Sequence, residues 1–137
     1  MPGLIELLES LGWVLMVLAF AHAVFPRYFH WREELQKLSL VNKEIMEVHT
    51  LFIALTVGLM GLLLLTSAEL LATTELGRRV AGGMALFWGV RLIVQFFGYS
   101  AELWKGKVFE TAVHVCFTFL WLLLTLTLGW AAYFGLE

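Results

Sequence analysis

The stretch VHTLFIALTVGLMGLLLL, residues 48–65, decides the fold class because none of its 18 positions carries a formally charged side chain. A run of this length and composition is typical of a helix that crosses a bilayer, whose hydrocarbon core of about 30 Å needs roughly 20 residues. Three further apolar runs lie at residues 11–25, 80–99 and 111–134. Lipid offers no hydrogen-bond partner, so backbone N–H and C=O groups must bond one another, and runs of this kind therefore form helices. We therefore predict an all-α fold: one transmembrane four-helix domain over residues 1–137.

The composition of the whole chain supports this class. Of the 137 residues, 61% are hydrophobic and 15% are charged, and the mean hydropathy is +0.85. Soluble domains are roughly 45–50% apolar and about 25% charged, so both a soluble fold and a disordered chain are excluded. The net charge is −2 and no basic tract exceeds Arg78-Arg79, so no nucleic-acid partner is predicted. The predicted partner is the lipid bilayer.

The three connections between the apolar runs predict the orientation. The first (residues 27–47) and third (100–110) lie on one side of the membrane and contain six basic residues, against two in the second connection (69–79). The positive-inside rule then predicts that both termini are non-cytoplasmic, in a plasma (inner) membrane. Within the first connection, charged Glu33, Glu34 and Lys37 alternate with leucines. This pattern predicts a short amphipathic helix at the membrane surface, between the first two spans; its apolar residues are Leu35, Leu38 and Leu40.

Five polar side chains interrupt the apolar runs and are the candidate site residues. Ionisable groups cost about 2.5–3.5 kcal/mol each at the centre of a membrane helix, so they tend to have a function. Counting from the ends of the runs at about 1.5 Å per residue places four of them near one membrane face, one on each helix, with Arg91 deeper. The five are His22, His49, Arg91, Gln95 and His114. We predict that they converge on one site.

Histidine is a common ligand of transition metals and of haem iron, and helix bundles build cofactor sites from inward side chains. The sequence therefore predicts haem b or a transition metal bound by His22, His49 and His114, for electron transfer or redox chemistry near the cytoplasmic face. Arg91 and Gln95 are predicted to bind the cofactor or a lipid-soluble partner, through a propionate or a quinone oxygen. In helix count and inward histidines, the pattern resembles the small four-helix membrane cytochromes of the b type, although the histidine spacing is not one of their motifs.

Other interpretations of the same residues remain open. The histidines can be purely structural hydrogen-bonding groups, and His30 a solvated residue at the membrane surface. The chain can be a non-catalytic subunit of a larger membrane complex, or a small transporter or channel lined by Arg91 and the histidines. Small residues at Ala81, Ala85 and Gly89 form a face that allows close helix contact, which predicts a homo-oligomer or partner membrane subunits. No catalytic motif is present, so no catalytic residue is predicted.

Overall fold

The computed structural model describes residues 2–28 and 30–135, except for the side chain of Arg27, and contains no strand within them. Its α-helices are α1 (Pro2–Ala21), α2 (Phe25–Tyr28), α3 (Trp31–Glu34), α4 (Leu40–Thr73), α5 (Glu75–Phe97) and α6 (Val108–Phe134). Two short 3₁₀ segments, Leu35–Lys37 and Ala101–Leu103, lie in the connections. The all-α prediction is confirmed for the described residues.

Four of these helices, α1, α4, α5 and α6, are long and apolar enough to cross a membrane, which confirms the four predicted helices by length and composition. Between 17% and 28% of the apolar stretch of each of these helices is buried within the protein. Large side chains such as Trp13, Phe97 and Val108 are consequently exposed over most of their surface.

The first helix ends earlier than predicted. The apolar run at residues 11–25 extends beyond the helix, because α1 ends at Ala21 and Pro26 lies inside α2. The amides of Ala23 and Val24 bond the carbonyls three residues back, which tightens the chain into turns after α1. Proline is tolerated near a helix start because the missing N–H has no partner there.

The predicted connection at residues 69–79 is mostly helical. α4 continues to Thr73 and α5 begins at Glu75, so only Thr74 separates them. The Thr74 hydroxyl caps α5 by accepting a hydrogen bond from the Gly77 amide at 3.0 Å. In the first connection, α3 and the 3₁₀ segment give the predicted helical piece, although only Leu35 of the three leucines is buried and Leu40 belongs to α4.

The chain divides into two compact units, which we describe separately. The N-terminal unit is Glu9–Ser67, and the C-terminal unit consists of the described residues of Met1–Leu8 and Ala68–Glu137. The boundary falls within α4 at Ser67, where φ −139° and ψ 22° interrupt the regular helix. In the N-terminal unit, α1 and α4 approach closely at glycines. A Cβ placed on Gly61 would lie 2.9 Å from the carbonyl oxygen of Gly12.

In the C-terminal unit, α5 and α6 pack against each other along their length. Arg78 donates from Nε to the carbonyl of Ala132 and from Nη2 to that of Tyr133, both at 2.8 Å. These bonds satisfy carbonyls at the end of α6 and place a cation at the negative end of its dipole. One member of the predicted small-residue face, Gly89, lies against Thr125 of α6, so this part of the face is used within the chain.

Candidate functional site

A connected group of polar side chains lies between α5 and α6 and is centred on Gln95, which is 5% exposed. Arg91 Nη1 donates to Gln95 Oε1 at 3.0 Å, and Trp121 Nε1 donates to the same oxygen at 3.3 Å. Gln95 Nε2 lies 2.8 Å from His114 Nδ1. We call these four residues the Gln95 cluster.

Helix geometry explains how the cluster forms. Arg91 and Gln95 are four residues apart on α5 and therefore share one face, while His114 and Trp121 are seven apart, two turns, on α6. Pairing of the two helices then brings both faces together. Arg91 and Gln95 thus form a polar stripe on α5.

Aromatic rings surround the cluster. The guanidinium carbon of Arg91 lies 5.0 Å from the centre of the Trp121 ring and 5.5 Å from that of Tyr99, within the range of cation–π attraction. Trp104 stacks on the His114 ring with a centroid distance of 3.9 Å. Tyr99 and Trp104 come from the connection between α5 and α6, and the sequence interpretation missed them as site residues. Their signal was present, since both lie close in sequence to the polar stripe.

The charge of Arg91 has no carboxylate partner among the described residues. The ion pairs found there are Lys37–Glu34 and Arg79–Glu75, both on exposed side chains. Arg91 instead contacts an uncharged amide oxygen and two rings. A guanidinium has five N–H donors, and one of them is accounted for by Gln95.

An apolar groove of about 450 Å³ adjoins Arg91 on the surface of α5. Apart from Arg91 itself, its lining is entirely apolar: Gly83, Leu86, Phe87, Val90 and Val94. A second hydrogen-bond donor lies close along α5: Trp88 stacks on Trp121, and its buried Nε1 has no hydrogen-bond partner among the described residues. Arg91 and Trp88 therefore both carry N–H groups that have no hydrogen-bond partner among the described residues.

The N-terminal unit holds the remaining histidines, and two of them bond their own backbone. His22 Nδ1 lies 2.8 Å from the Leu18 carbonyl oxygen, and His49 Nδ1 lies 2.7 Å from that of Ile45. His30 is exposed, adopts a left-handed backbone with φ 51°, and borders an open cavity of about 550 Å³ beside Glu47 and Thr50.

The structure thus brings together three of the five predicted site residues, Arg91, Gln95 and His114. His22 and His49 belong to the other unit, so one site for all five stays a prediction. Among residues 2–28 and 30–135, no three or more His, Cys, Asp or Glu side chains are grouped so that they could hold a metal ion. The ligand set His22, His49 and His114 therefore has no support from a preformed cluster.

Comparison with known protein families, with curated proteins and with solved structures finds no significant match for this chain. The chemistry of the residues themselves is therefore what indicates a function.

Proposed function

We propose that the protein is an integral membrane protein whose four long helices cross a plasma (inner) membrane, with both termini non-cytoplasmic. The exposed apolar side chains support insertion, because each Å² of apolar surface kept in water costs about 25 cal/mol. The basic residues of the first and third connections support the orientation. Single cysteines at Gly3 and Gln36, in a Cys116→Ser background, test it. Only Gly3→Cys should react with an impermeant thiol reagent on intact cells, and labelling of Gln36→Cys would reverse the orientation.

We further propose that the Gln95 cluster binds a lipid-soluble quinone. The observation that carries this proposal is Arg91, a cation on an apolar helix with no carboxylate partner among the described residues, beside an apolar groove. An unpaired charge inside a bilayer is costly, so a ligand that brings hydrogen-bond acceptors to it is favoured.

A quinone fits both halves of this region. Its carbonyl oxygens accept hydrogen bonds from a donor such as the Arg91 guanidinium, and its apolar tail matches the groove lined by Leu86, Phe87 and Val90. When bound, a quinone supplies the two-electron carrier chemistry expected of a redox membrane protein. The chain itself would bind and orient the head group.

Substitution of Arg91 tests the quinone proposal. Three tryptophans lie close to the site: Trp88, Trp104 and Trp121. Quinone binding to the purified protein in nanodiscs should therefore quench their fluorescence. Arg91→Gln should weaken binding about tenfold or more, because a hydrogen bond to a charged group contributes about 1.5–3 kcal/mol. Arg79→Gln is the matched control, since Arg79 lies on the same helix but pairs with Glu75 at the surface.

The experiment distinguishes a quinone from an anionic lipid, because either molecule can bring acceptor oxygens to Arg91. Quinone affinity that is equal in Arg91→Gln and in the unaltered protein contradicts the proposal. Nanodiscs with and without anionic lipid form the second arm, because a lipid phosphate or carboxylate also suits Arg91. Arg91-dependent binding of anionic lipid without quinone binding would replace the quinone by a lipid.

A second candidate function is haem or transition-metal binding through His22 and His49. Its specific support is the hydrogen bond of each Nδ1 to a backbone carbonyl. A carbonyl oxygen only accepts, so each Nδ1 carries the proton and a neutral ring has its lone pair on Nε2. Metal-ligating histidines usually have this arrangement, with the other ring nitrogen donating to a carbonyl or carboxylate.

Colour and metal content test this second candidate. Protein purified from cells supplied with haem precursor and trace metals should show a Soret band, or one bound metal by elemental analysis. His22→Ala and His49→Ala should each abolish the signal, whereas His30→Ala should leave it unchanged. A colourless, metal-free protein would exclude this function. Co-purification of another membrane protein in that case would favour the non-catalytic subunit.

A further inference from the structure

Gln95 contacts two donors through its amide oxygen. Arg91 Nη1 and Trp121 Nε1 lie 3.0 Å and 3.3 Å from Oε1, and neither side chain has an acceptor nitrogen. Rotation of the amide by 180° would place its NH₂ group against both donors. The oxygen is therefore fixed on the side of Arg91 and Trp121.

The amide nitrogen of Gln95 consequently faces His114. It lies 2.8 Å from Nδ1 and 3.5 Å from the carbonyl oxygen of the same residue. An NH₂ group only donates, so His114 Nδ1 accepts and carries no proton. The neutral imidazole then carries its proton on Nε2, the opposite tautomer to His22 and His49.

We propose that Gln95 is a positioning residue that holds His114 as the Nε2–H tautomer and so sets the ligand class of the site. A nitrogen that carries a proton has no lone pair for a metal, so His114 is a hydrogen-bond donor and not a ligand of a metal or haem iron. Together with Arg91, it selects a molecule with acceptor oxygens. The identity of that molecule depends on the proposed quinone function, whereas the tautomer is a property of the protein alone.

The stacking of Trp104 on His114 limits which part of the imidazole ring can contact a ligand. Its ring lies nearly parallel to the imidazole of His114, with 15° between the planes, and covers one face of it. With one face covered and Nδ1 engaged by Gln95, the ring edge at Nε2 is the part of His114 that can bond a ligand. Gln95 thus acts on ligand selection through His114, without touching the ligand itself.

Nitrogen NMR of the protein labelled with ¹⁵N-histidine tests the proposal. The chemical shift distinguishes protonated from unprotonated ring nitrogens, and His114→Gln identifies the signals of His114 by their loss. At alkaline pH, where neutral imidazole predominates, we expect His114 to be unprotonated at Nδ1, and His22 and His49 to be protonated there. A protonated His114 Nδ1 in the unaltered protein overturns the proposal, whatever happens in any variant.

Gln95→Glu extends the test with little change in shape. Its carboxylate accepts from Arg91, from Trp121 and from the ring, so the His114 proton should move to Nδ1. Gln36→Glu makes the same change at an exposed position and should alter none of the His114 signals. Unchanged His22 and His49 signals report that the fold is retained. A folded Gln95→Glu variant whose His114 signals equal those of the unaltered protein contradicts the positioning role.

Quinone addition separates this inference from the proposed function. If quinone binds and shifts the His114 Nε2 signal, the ligand class is supported. Binding without such a shift refutes His114 as a donor to the ligand. If no quinone binds while Nδ1 is unprotonated, the quinone function fails and the tautomer assignment is retained.

Discussion

The two helix pairs of this protein satisfy their polar groups in different ways. In the α5–α6 pair of the C-terminal unit, side chains bond across the helices, as Gln95 bonds His114 and Trp121. In the N-terminal unit, His22 on the turn after α1 and His49 on α4 bond the backbone of their own segment, four residues back. The α1–α4 pair instead meets at glycines, where the backbones approach closely.

The difference separates two sources of specificity. A polar group satisfied by its own helix constrains no neighbour, so its second ring nitrogen stays available for a ligand. A polar group satisfied across two helices fixes their register and the orientation of every partner. We therefore expect the N-terminal unit to be sensitive to side-chain volume, and the C-terminal unit to the loss of hydrogen-bonding atoms.

The largest expected effect is on the glycine contact of the N-terminal unit. Gly61→Leu places a Cβ 2.9 Å from the Gly12 carbonyl oxygen and 3.1 Å from the Met16 amide nitrogen, and neither backbone atom moves easily. We expect the free energy of unfolding to fall by about 3 kcal/mol. Reversible unfolding in mixed micelles, followed by circular dichroism, measures it. Gly83→Leu on α5 meets nothing within 4 Å of its Cβ and should be neutral or stabilising. Equal losses in both variants would contradict the volume argument.

A smaller effect is expected from removal of the amide of the Gln95 cluster. Gln95→Leu keeps the volume but leaves the Trp121 N–H and the His114 ring nitrogen without their partner. We expect a loss of about 2 kcal/mol in the same unfolding measurement. Gln36→Leu, an exposed position, should change stability by less than about 0.5 kcal/mol. Indistinguishable stabilities of the two leucine variants would show that the cluster contributes nothing to the α5–α6 pair.

The length of the apolar runs predicted the four long helices, because a run such as residues 48–65 is typical of a helix that can cross a bilayer. Three members of the site were also predictable. The apolar runs are interrupted by the polar residues Arg91, Gln95 and His114. A polar side chain in such a run costs free energy unless it has a partner, which indicates that the three bond one another or a shared ligand. Whether His22 and His49 join them cannot be decided from depth along a helix, which gives no information on how the two units are arranged.

Other features depend on geometry that periodicity does not contain. The Nδ1 partner of each histidine decides its tautomer, and only packing reveals that His114 differs from His49. Trp104 reaches His114 because the connection after α5 turns back toward α6. The early end of α1 follows from turns at residues 22–24, and these residues include no glycine or proline from which the turns could be predicted. Thr74 did have a sequence signal, since a threonine followed by Glu75 is typical of a helix start.

The smallest effect is expected at Thr74, within the C-terminal unit, whose hydroxyl makes one bond within its own segment and one bond to the next helix. It donates to the Leu70 carbonyl at 2.8 Å, a bond within its own segment, and accepts from the Gly77 amide at 3.0 Å. Thr74→Ala removes the cap of α5, so we expect a loss of about 1 kcal/mol in the unfolding measurement.

Thr73→Ala is the matched control, because Thr73 donates only to the Glu69 carbonyl on α4 and caps no helix. Alanine is the better helix former, so this change should be neutral or slightly stabilising. A loss at Thr74 that exceeds the change at Thr73 would mean that the bond joining two segments contributes more than the bond within one. Equal changes would show that solvent replaces the cap, and would contradict a contribution of the Thr74–Gly77 bond to stability.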